Sequence, residues 1–339
     1  MVRRKKNFYK HKKMKKKKFK WGTFFKFIIF ELIFTMITVP FLIYYGPFQN
    51  VKRSLVGAAM TSLSHQYLAT AFLSKDKINE ILGENSIEEI KQDNNSQEVL
   101  LPKKHDDTIE RYDIEGKKFK GYILVVKDPT RVKVGYSSKL GREGQTTSQI
   151  AKNFNAVAAI NGGGFTDVSA TSEWTGNGGT PTGIIISDGK EVFNDLKPDA
   201  KVEMMAITNK GRLLVGKYSP NELKKYNVTE AISFGPPLVV NGKPTIKTGD
   251  GGWGIAPRTV IGQRKDGSML FLVIDGRQIL NSIGATLKEA QDVMLQYGAV
   301  NAVNLDGGKS TTMYFEGEVI NNPSDHLGER AVPSVVMVK

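Results

Sequence analysis

Three segments place an Asn or Asp where an apolar run ends, and then release the backbone with glycine. They are Ala-Ile-Asn161-Gly162-Gly163-Gly164-Phe165, Val-Ile-Asp275-Gly276-Arg277 and Asn-Leu-Asp306-Gly307-Gly308-Lys309-Ser310. Polar groups at the ends of apolar strands are a rigid way to build a site. The alternative for each is one more tight turn, as expected for Asp188-Gly189, Asn241-Gly242 and Asp266-Gly267, which sit between strand candidates and suit hairpins because Asx-Gly tolerates positive φ. Two glycine-rich stretches, 161–183 with Trp174 and 249–254 with Trp253, have the composition of mobile loops that cover a ligand, and an indole face suits a sugar ring. The alternative is a surface loop whose tryptophan packs locally. Gly308-Lys309-Ser310-Thr311 imitates a phosphate-binding P-loop, but the glycine required five residues before Gly308 is Val303, and Asp306 would put a carboxylate among the phosphates. That reading is rejected.

Around these segments the pattern is strand-rich. Tyr122–Lys127 and Arg131–Tyr136 are β-type runs split by a turn at Asp128-Pro129, and further strands are predicted at 156–160, 182–187, 202–207, 212–215, 237–240, 257–263, 268–274, 301–305, 311–315 and 334–338. Two helices interrupt them, at about 147–154 and at 287–297. The second opens on a capping box, Thr286 with Glu289, and closes at Gly298. Glu289 is therefore read as structural. The fold class is α+β, built on mixed or antiparallel sheet.

The chain has 339 residues, no cysteine and a formal charge of +14. The missing thiols exclude disulfides, thiol catalysis and zinc ribbons. The histidines, His11, His65, His105 and His326, have no metal-ligand spacing, so no metal site and no cofactor is expected. Twelve lysines and arginines with no acid fall in residues 1–20, and removing them from +14 leaves +2 for the remaining 319 residues. The basicity belongs to a tail, so no nucleic-acid partner is expected.

Residues 27–45 are apolar apart from Glu31, with Pro40 near the far end, and as a helix they rise about 28 Å. No small-residue cleavage pattern follows directly, which favours an uncleaved anchor over a signal peptide. The basic flank predicts residues 1–26 as a cytoplasmic tail against anionic membrane lipids, 27–45 as the transmembrane span, 46–109 as helical stalk and polar linker, and 110–339 as an extracytoplasmic domain. The stalk helix is expected over 51–82, and His105 in the linker is expected to be solvated.

The ordered series AVAAINGGGF, PTGIIISDGK, FGPPLVVNGK, APRTVIG, LVIDGR, GATLKEAQDVMLQYGAVNAVNLDGGKST, NNPSD and GERAV resembles the phosphodiester glycosidase family, which includes the lysosomal uncovering enzyme and bacterial envelope proteins labelled exopolysaccharide-related. The resemblance covers roughly residues 120–339. It implies cleavage of the bond between a sugar anomeric carbon and a phosphodiester oxygen in a cell-envelope or exopolysaccharide glycan. Such a reaction calls for a cation on the phosphate and a carboxylate near the anomeric centre. Arg258 and Arg277 become candidate phosphate ligands, and Asp306 and Asp275 candidate catalytic carboxylates. Asn161 and Ser310, with the glycine backbones at Gly162, Gly163 and Gly307, are candidates for sugar or phosphate oxygens. Arg330 is either a third phosphate ligand or paired with Glu329.

Two other functions compete. An anchored glycopolymer phosphotransferase of the LytR-CpsA-Psr kind shares the basic tail, single span and Arg/Asp chemistry, but its order of motifs is not found. A non-catalytic glycan-binding module would not need polar residues in all three strand-end segments. The sugar, the aglycone and the oligomeric state are not legible.

Overall fold

The computed structural model describes residues 20–60, 65–83, 87–93, 99–102, 104–166, 177–278 and 280–339. Most of the basic tail, and Trp174, lie outside the described residues. The molecule divides into two compact units, Met1–Lys52 and Arg53–Lys339.

In the first unit a helix spans Trp21–Tyr45, starting before the expected residue 27 and carrying Pro40 inside it. Side chains such as Phe30, Leu32, Phe34 and Met36 are exposed along it. Its length and hydropathy suffice to cross a membrane.

The second unit is α+β. Its largest sheet has seven antiparallel strands in the order Ile109–Glu115, Lys120–Val126, Met269–Ile274, Arg258–Arg264, Ala299–Leu305, Pro237–Val240, Lys243–Pro244. A five-stranded sheet runs Leu213–Tyr218, Val202–Thr208, Val228–Ser233, Ile184–Ser187, Lys190–Asn194. A third runs Glu318–Val319, Met313–Phe315, Ala158–Asn161, Ser334–Val338, Val132–Tyr136. The expected hairpins form, with Asp188 and Asn241 both at positive φ. The two runs split at Asp128-Pro129 do not pair with each other. Asp128 caps a short 3-10 turn, and the chain crosses from the first sheet to the third.

Strict alternation sorts each strand between two cores. In the Met269–Ile274 strand, Met269, Phe271 and Val273 face both smaller sheets, meeting Met205, Ile232, Ile160 and Val336 in one cluster. Leu270, Leu272 and Ile274 face the helix Leu287–Gln296 through Leu287, Ala290 and Met294. This strand is buried on both sides and reads as an unbroken apolar run. The capping box forms as expected: Glu289 N–H donates to Thr286 Oγ1 at 3.1 Å, and Thr286 N–H to Glu289 Oε2 at 2.8 Å, an arrangement worth about 1 kcal/mol. The helix lies close because position 262 is glycine, where an added Cβ would meet Met294 Cε at 2.4 Å.

Two expectations for the N-terminal third change. The stalk helix is broken, since Gln49–Met60, Tyr67–Thr70 and Lys75–Gly83 are separate helices and residues 71–74 form turns. Part of the linker is docked on the domain: Gln92 exchanges bonds with the Leu213–Tyr218 strand, donating to Leu213 O at 2.9 Å and accepting from Val215 N at 2.7 Å. Its side chain thereby satisfies a sheet edge that the polar composition alone does not reveal. His105 is exposed as expected, and it also bonds Asp128 Oδ2 at 2.6 Å and Asp107 Oδ1 at 3.0 Å; the Asp128 bond, followed by the Asp107 charge, raises its pKa.

Candidate active site

The strand Arg258–Arg264 runs antiparallel to both neighbours, so Met269–Ile274 and Ala299–Leu305 finish at the edge where it begins. Register places Arg258 opposite Ile274 and Thr259 opposite Leu305. Asp275 and Asp306, each one residue further, therefore share one sheet edge, with Cα atoms two strand spacings or about 10 Å apart.

Asp306 is partly exposed, and its backbone is held twice. Its N–H donates to Gly162 O at 3.1 Å, and its carbonyl accepts from Asn161 Nδ2 at 2.5 Å. Asn161 is fully buried, and its Oδ1 accepts from Thr259 Oγ1 at 2.7 Å and Thr312 N at 3.1 Å. Asn161 therefore positions the Asp306 backbone, which corrects its expected role as a direct ligand.

Asp275 is 5% exposed. Its Oδ1 accepts from Asn321 Nδ2 at 2.9 Å and Asn322 N at 3.0 Å, while Ser282 Oγ donates to its carbonyl at 2.6 Å. Burial raises its pKa above the ordinary carboxylate range, with the two asparagine bonds working against it. Asp275 is thus a buried, hydrogen-bonded carboxyl, whereas Asp306 sits at an accessible edge.

The arginines divide by role. Arg258 is 4% exposed. Its Nε donates to Ala285 O at 2.9 Å, and its Nη2 to Trp253 O at 3.1 Å and Gly254 O at 2.5 Å. Burial, then the nearby Arg277 charge, push its pKa down to about 10, against Asp250 and Glu289. The expected phosphate ligand is here a strut between the 249–254 loop and the start of the Leu287–Gln296 helix. Arg277 is the opposite case. It sits at φ 61, a left-handed conformation costing about 1–2 kcal/mol for a side chain of this kind, and this directs its guanidinium over Gly308, where an added Cβ would lie 3.1 Å from Nη2. Among the described residues no hydrogen bond or ion pair engages that guanidinium. Crowding by the surrounding loops lowers its pKa, followed by Arg330, with Asp325 acting against. Arg330 lies over the Phe165 ring at 4.8 Å. It is not paired with Glu329, which instead takes Ser148 N–H at 2.9 Å and the Ser148 hydroxyl. Lys309 reaches Asp325 at 3.4 Å.

Three further expected ligands are buried. Gly162 and Gly163 donate to Ser334 O at 2.9 Å and Ser334 Oγ at 3.2 Å, and a Cβ on Gly163 would meet Ile232 Cγ2 at 2.0 Å. These glycines allow the sheets to approach each other rather than admit a ligand. The Ser310 hydroxyl is buried with no partner among the described residues. Gly307 stays partly exposed, with Gly308 N–H donating to Pro257 O at 3.0 Å. The 249–254 loop is not free: a Cβ on Gly254 would meet Ser54 O at 2.4 Å, and Ser54 Oγ donates to Asp250 Oδ2 at 3.2 Å, so residues 54–58 of a helix pack on it.

Sequence reasoning overlooked Asn321, Thr259, Asp325 and Glu203. The first three stand inside NNPSD and PRT, quoted above only as pieces of a series. Glu203 had no signal in the sequence, because Met204 and Ala206 are as apolar as Met205 and Ile207 and only the structure shows which phase faces the central core.

The arrangement defines an α+β domain whose polar sheet edge combines carboxylates with an unengaged arginine. The phosphodiester glycosidase family profile matches residues 154–339, and the chain belongs to that family. It is 31% identical over 221 residues, 62% of the chain and 31% of the relative, to an SPbeta prophage-derived uncharacterized protein of Bacillus subtilis, YomE. It is 36% identical over 90 residues, 25% of the chain and 17% of the relative, to the bovine N-acetylglucosamine-1-phosphodiester alpha-N-acetylglucosaminidase. The chain thus spans under a third of the length of these curated relatives. The zebrafish N-acetylglucosamine-1-phosphodiester alpha-N-acetylglucosaminidase catalytic domain, auto-inhibited by its pro-peptide, superposes with a TM-score of 0.57 at 25% identity, over 71% of this chain and 86% of that one. A putative exported protein of Burkholderia pseudomallei shares the fold, with a TM-score of 0.50 at 18% identity over 65% and 74%.

Proposed function

We propose that the Arg53–Lys339 unit hydrolyses the bond between a sugar anomeric carbon and a phosphodiester in a cell-envelope or exopolysaccharide glycan, outside a membrane to which Trp21–Tyr45 anchors it. The observation that carries this reading is the unengaged Arg277 guanidinium beside Arg330, at the same sheet edge as Asp306 and Asp275. Family membership and the linkage named in the relatives supply the reaction class.

The phosphate rests on Arg277, with Arg330 adding charge. Asp306 attacks the anomeric carbon or takes the proton of an attacking water. The C1–O bond breaks, its electron pair leaves with the phosphate monoester, and water supplies the new hydroxyl. Asp275, fixed by Asn321 and Asn322 at the same strand ends, is the second carboxylate beside the departing oxygen. Little acid help is needed, because a phosphate monoester is already a good leaving group. In this reading the basic tail stays on the cytoplasmic side, against anionic lipid.

The test is to incubate the full chain with a sugar-1-phosphodiester and measure free sugar. Asp306→Asn should lower the rate by about three decades or more while leaving the melting temperature in place, since it removes only a charge at a partly exposed site. Undiminished turnover by that variant refutes the assignment.

A further inference from the structure

A cavity of about 650 Å³ lies between the Val202–Thr208 and Leu213–Tyr218 strands, the Pro236-Pro237 segment and residues 87–92. That volume falls among small-molecule sites, about 300–1,000 Å³. Glu203 lines it from the inner face of its strand, opposite Lys217 and in phase with the core residues Met205 and Ile207. A carboxyl group on a core-facing position normally has a partner. Among the described residues no hydrogen bond or ion pair engages this one. Its Oε2 lies against Gly235, where an added Cβ would be 2.2 Å away, and Gly235 O accepts from Asn304 Nδ2 at 2.9 Å, two residues before Asp306. Through Gly235 the cavity wall is tied to the Ala299–Leu305 strand that ends at Asp306, while none of the candidate catalytic residues lines it.

Two features select the ligand. The wall is aromatic, with Tyr218 and Tyr226 edge-to-face at 6.0 Å and Trp253 edge-on to Phe234 at 6.1 Å. Most of the rim charges are already paired, Lys201 with Glu222 at 2.7 Å, Lys217 with Glu89 at 3.2 Å and Glu88 with Lys247 at 2.8 Å, which leaves Lys91 and Glu203. A charged ligand would have to break these pairs, whereas a neutral polyhydroxyl one would not. We propose that this cavity is a carbohydrate subsite that takes a neutral sugar ring of the glycan chain, its apolar face on Trp253 and Tyr226 and its hydroxyls on Glu203. Burial also raises the Glu203 pKa, against Lys217, and its oxygens accept from sugar hydroxyls. The proposal deepens the phosphodiester glycosidase reading by making the substrate a polymer, and it rests on that reading for the class of polymer alone.

The experiment titrates the full chain in phosphatidylcholine nanodiscs with two neutral trisaccharides, chitotriose and cellotriose, by calorimetry and saturation-transfer NMR. At least one should bind. Glu203→Ala should weaken it about tenfold or more, the size of a lost hydrogen bond to a carboxyl group. The same variant should melt no lower than the parent, because it removes a half-buried carboxyl with no hydrogen bond or ion pair among the described residues. Tyr226→Ala is the second probe of the cavity. Arg277→Met should leave trisaccharide affinity unchanged. Absence of binding by both sugars, binding untouched by both cavity variants, or binding lost with Arg277→Met each overturns the subsite. Trisaccharide binding without phosphodiester hydrolysis would sink the catalytic reading and leave the subsite standing. Hydrolysis without trisaccharide binding would do the reverse.

Discussion

Replacing Arg258 and Arg277 in turn by methionine should separate stability from turnover. Arg258 makes three hydrogen bonds to backbone carbonyls from a nearly closed site. Bonds from a charged group contribute about 1.5–3 kcal/mol each. Against this stands the cost of burying the cation: displacing its pKa from 12.5 to about 10 corresponds to roughly 3 kcal/mol. The net loss in Arg258→Met is then about 1.5–6 kcal/mol, because methionine keeps the stem but leaves the carbonyls of Ala285, Trp253 and Gly254 without that donor. In a unit of this size that lowers the melting temperature by about 3–10 °C. Arg277 has no comparable bonds, and its nearest strong influence is the like charge of Arg330. Arg277→Met should melt within about 2 °C of the parent and lose kcat/KM toward a phosphodiester by about tenfold or more. Scanning calorimetry on the full chain, with initial rates on the same samples, decides it. An Arg258→Met protein of unchanged melting temperature but abolished turnover would make Arg258 a substrate ligand and refute the division of roles.

Gly163→Ala should abolish or strongly destabilise folding, since the new methyl would fall 2.0 Å from Ile232 Cγ2, a clash visible as loss of a cooperative melt. Asp275 has a raised folded-state pKa, so its stabilising effect is complete at low pH and is lost as pH rises through that pKa. Asp275→Asn should therefore gain stability relative to the parent as pH rises, in paired urea melts from pH 4 to 8. His105 is raised by Asp128 and then by Asp107, so its contribution is complete below the ordinary histidine pKa and fades above the raised one. The difference in melting temperature between the parent and His105→Gln should be largest near pH 5 and vanish by pH 9.

Much of this was legible because the signals are local. Thr286, Glu289 and Gly298 fix a helix through their own bonds, and Asp188-Gly189 and Asn241-Gly242 fix hairpins through positive φ. The strand-end placement of Asp275 and Asp306 followed from the apolar runs before them. What failed depends on contacts distant in sequence. Arg258 was read by type as a phosphate ligand, but its partners are the carbonyls of Trp253, Gly254 and Ala285. Gly162 and Gly163 were read as backbone ligands for sugar or phosphate oxygens, but their N–H groups donate to Ser334, and a Cβ on either would clash with Ser334 or Ile232. The Pro220–Lys225 helix was overlooked although Ser219, Pro220 and Glu222 spell a capping box with proline at the first position, since only six residues of helix follow.

The most direct test of the central claim is a crystal structure of the Asp306→Asn protein with an uncleaved sugar-1-phosphodiester. The account predicts phosphate oxygens on the Arg277 guanidinium, the anomeric carbon beside position 306, and Arg258 still bound to its three carbonyls. A phosphate seated on Arg258, or one bound away from Arg277 and position 306, would contradict it.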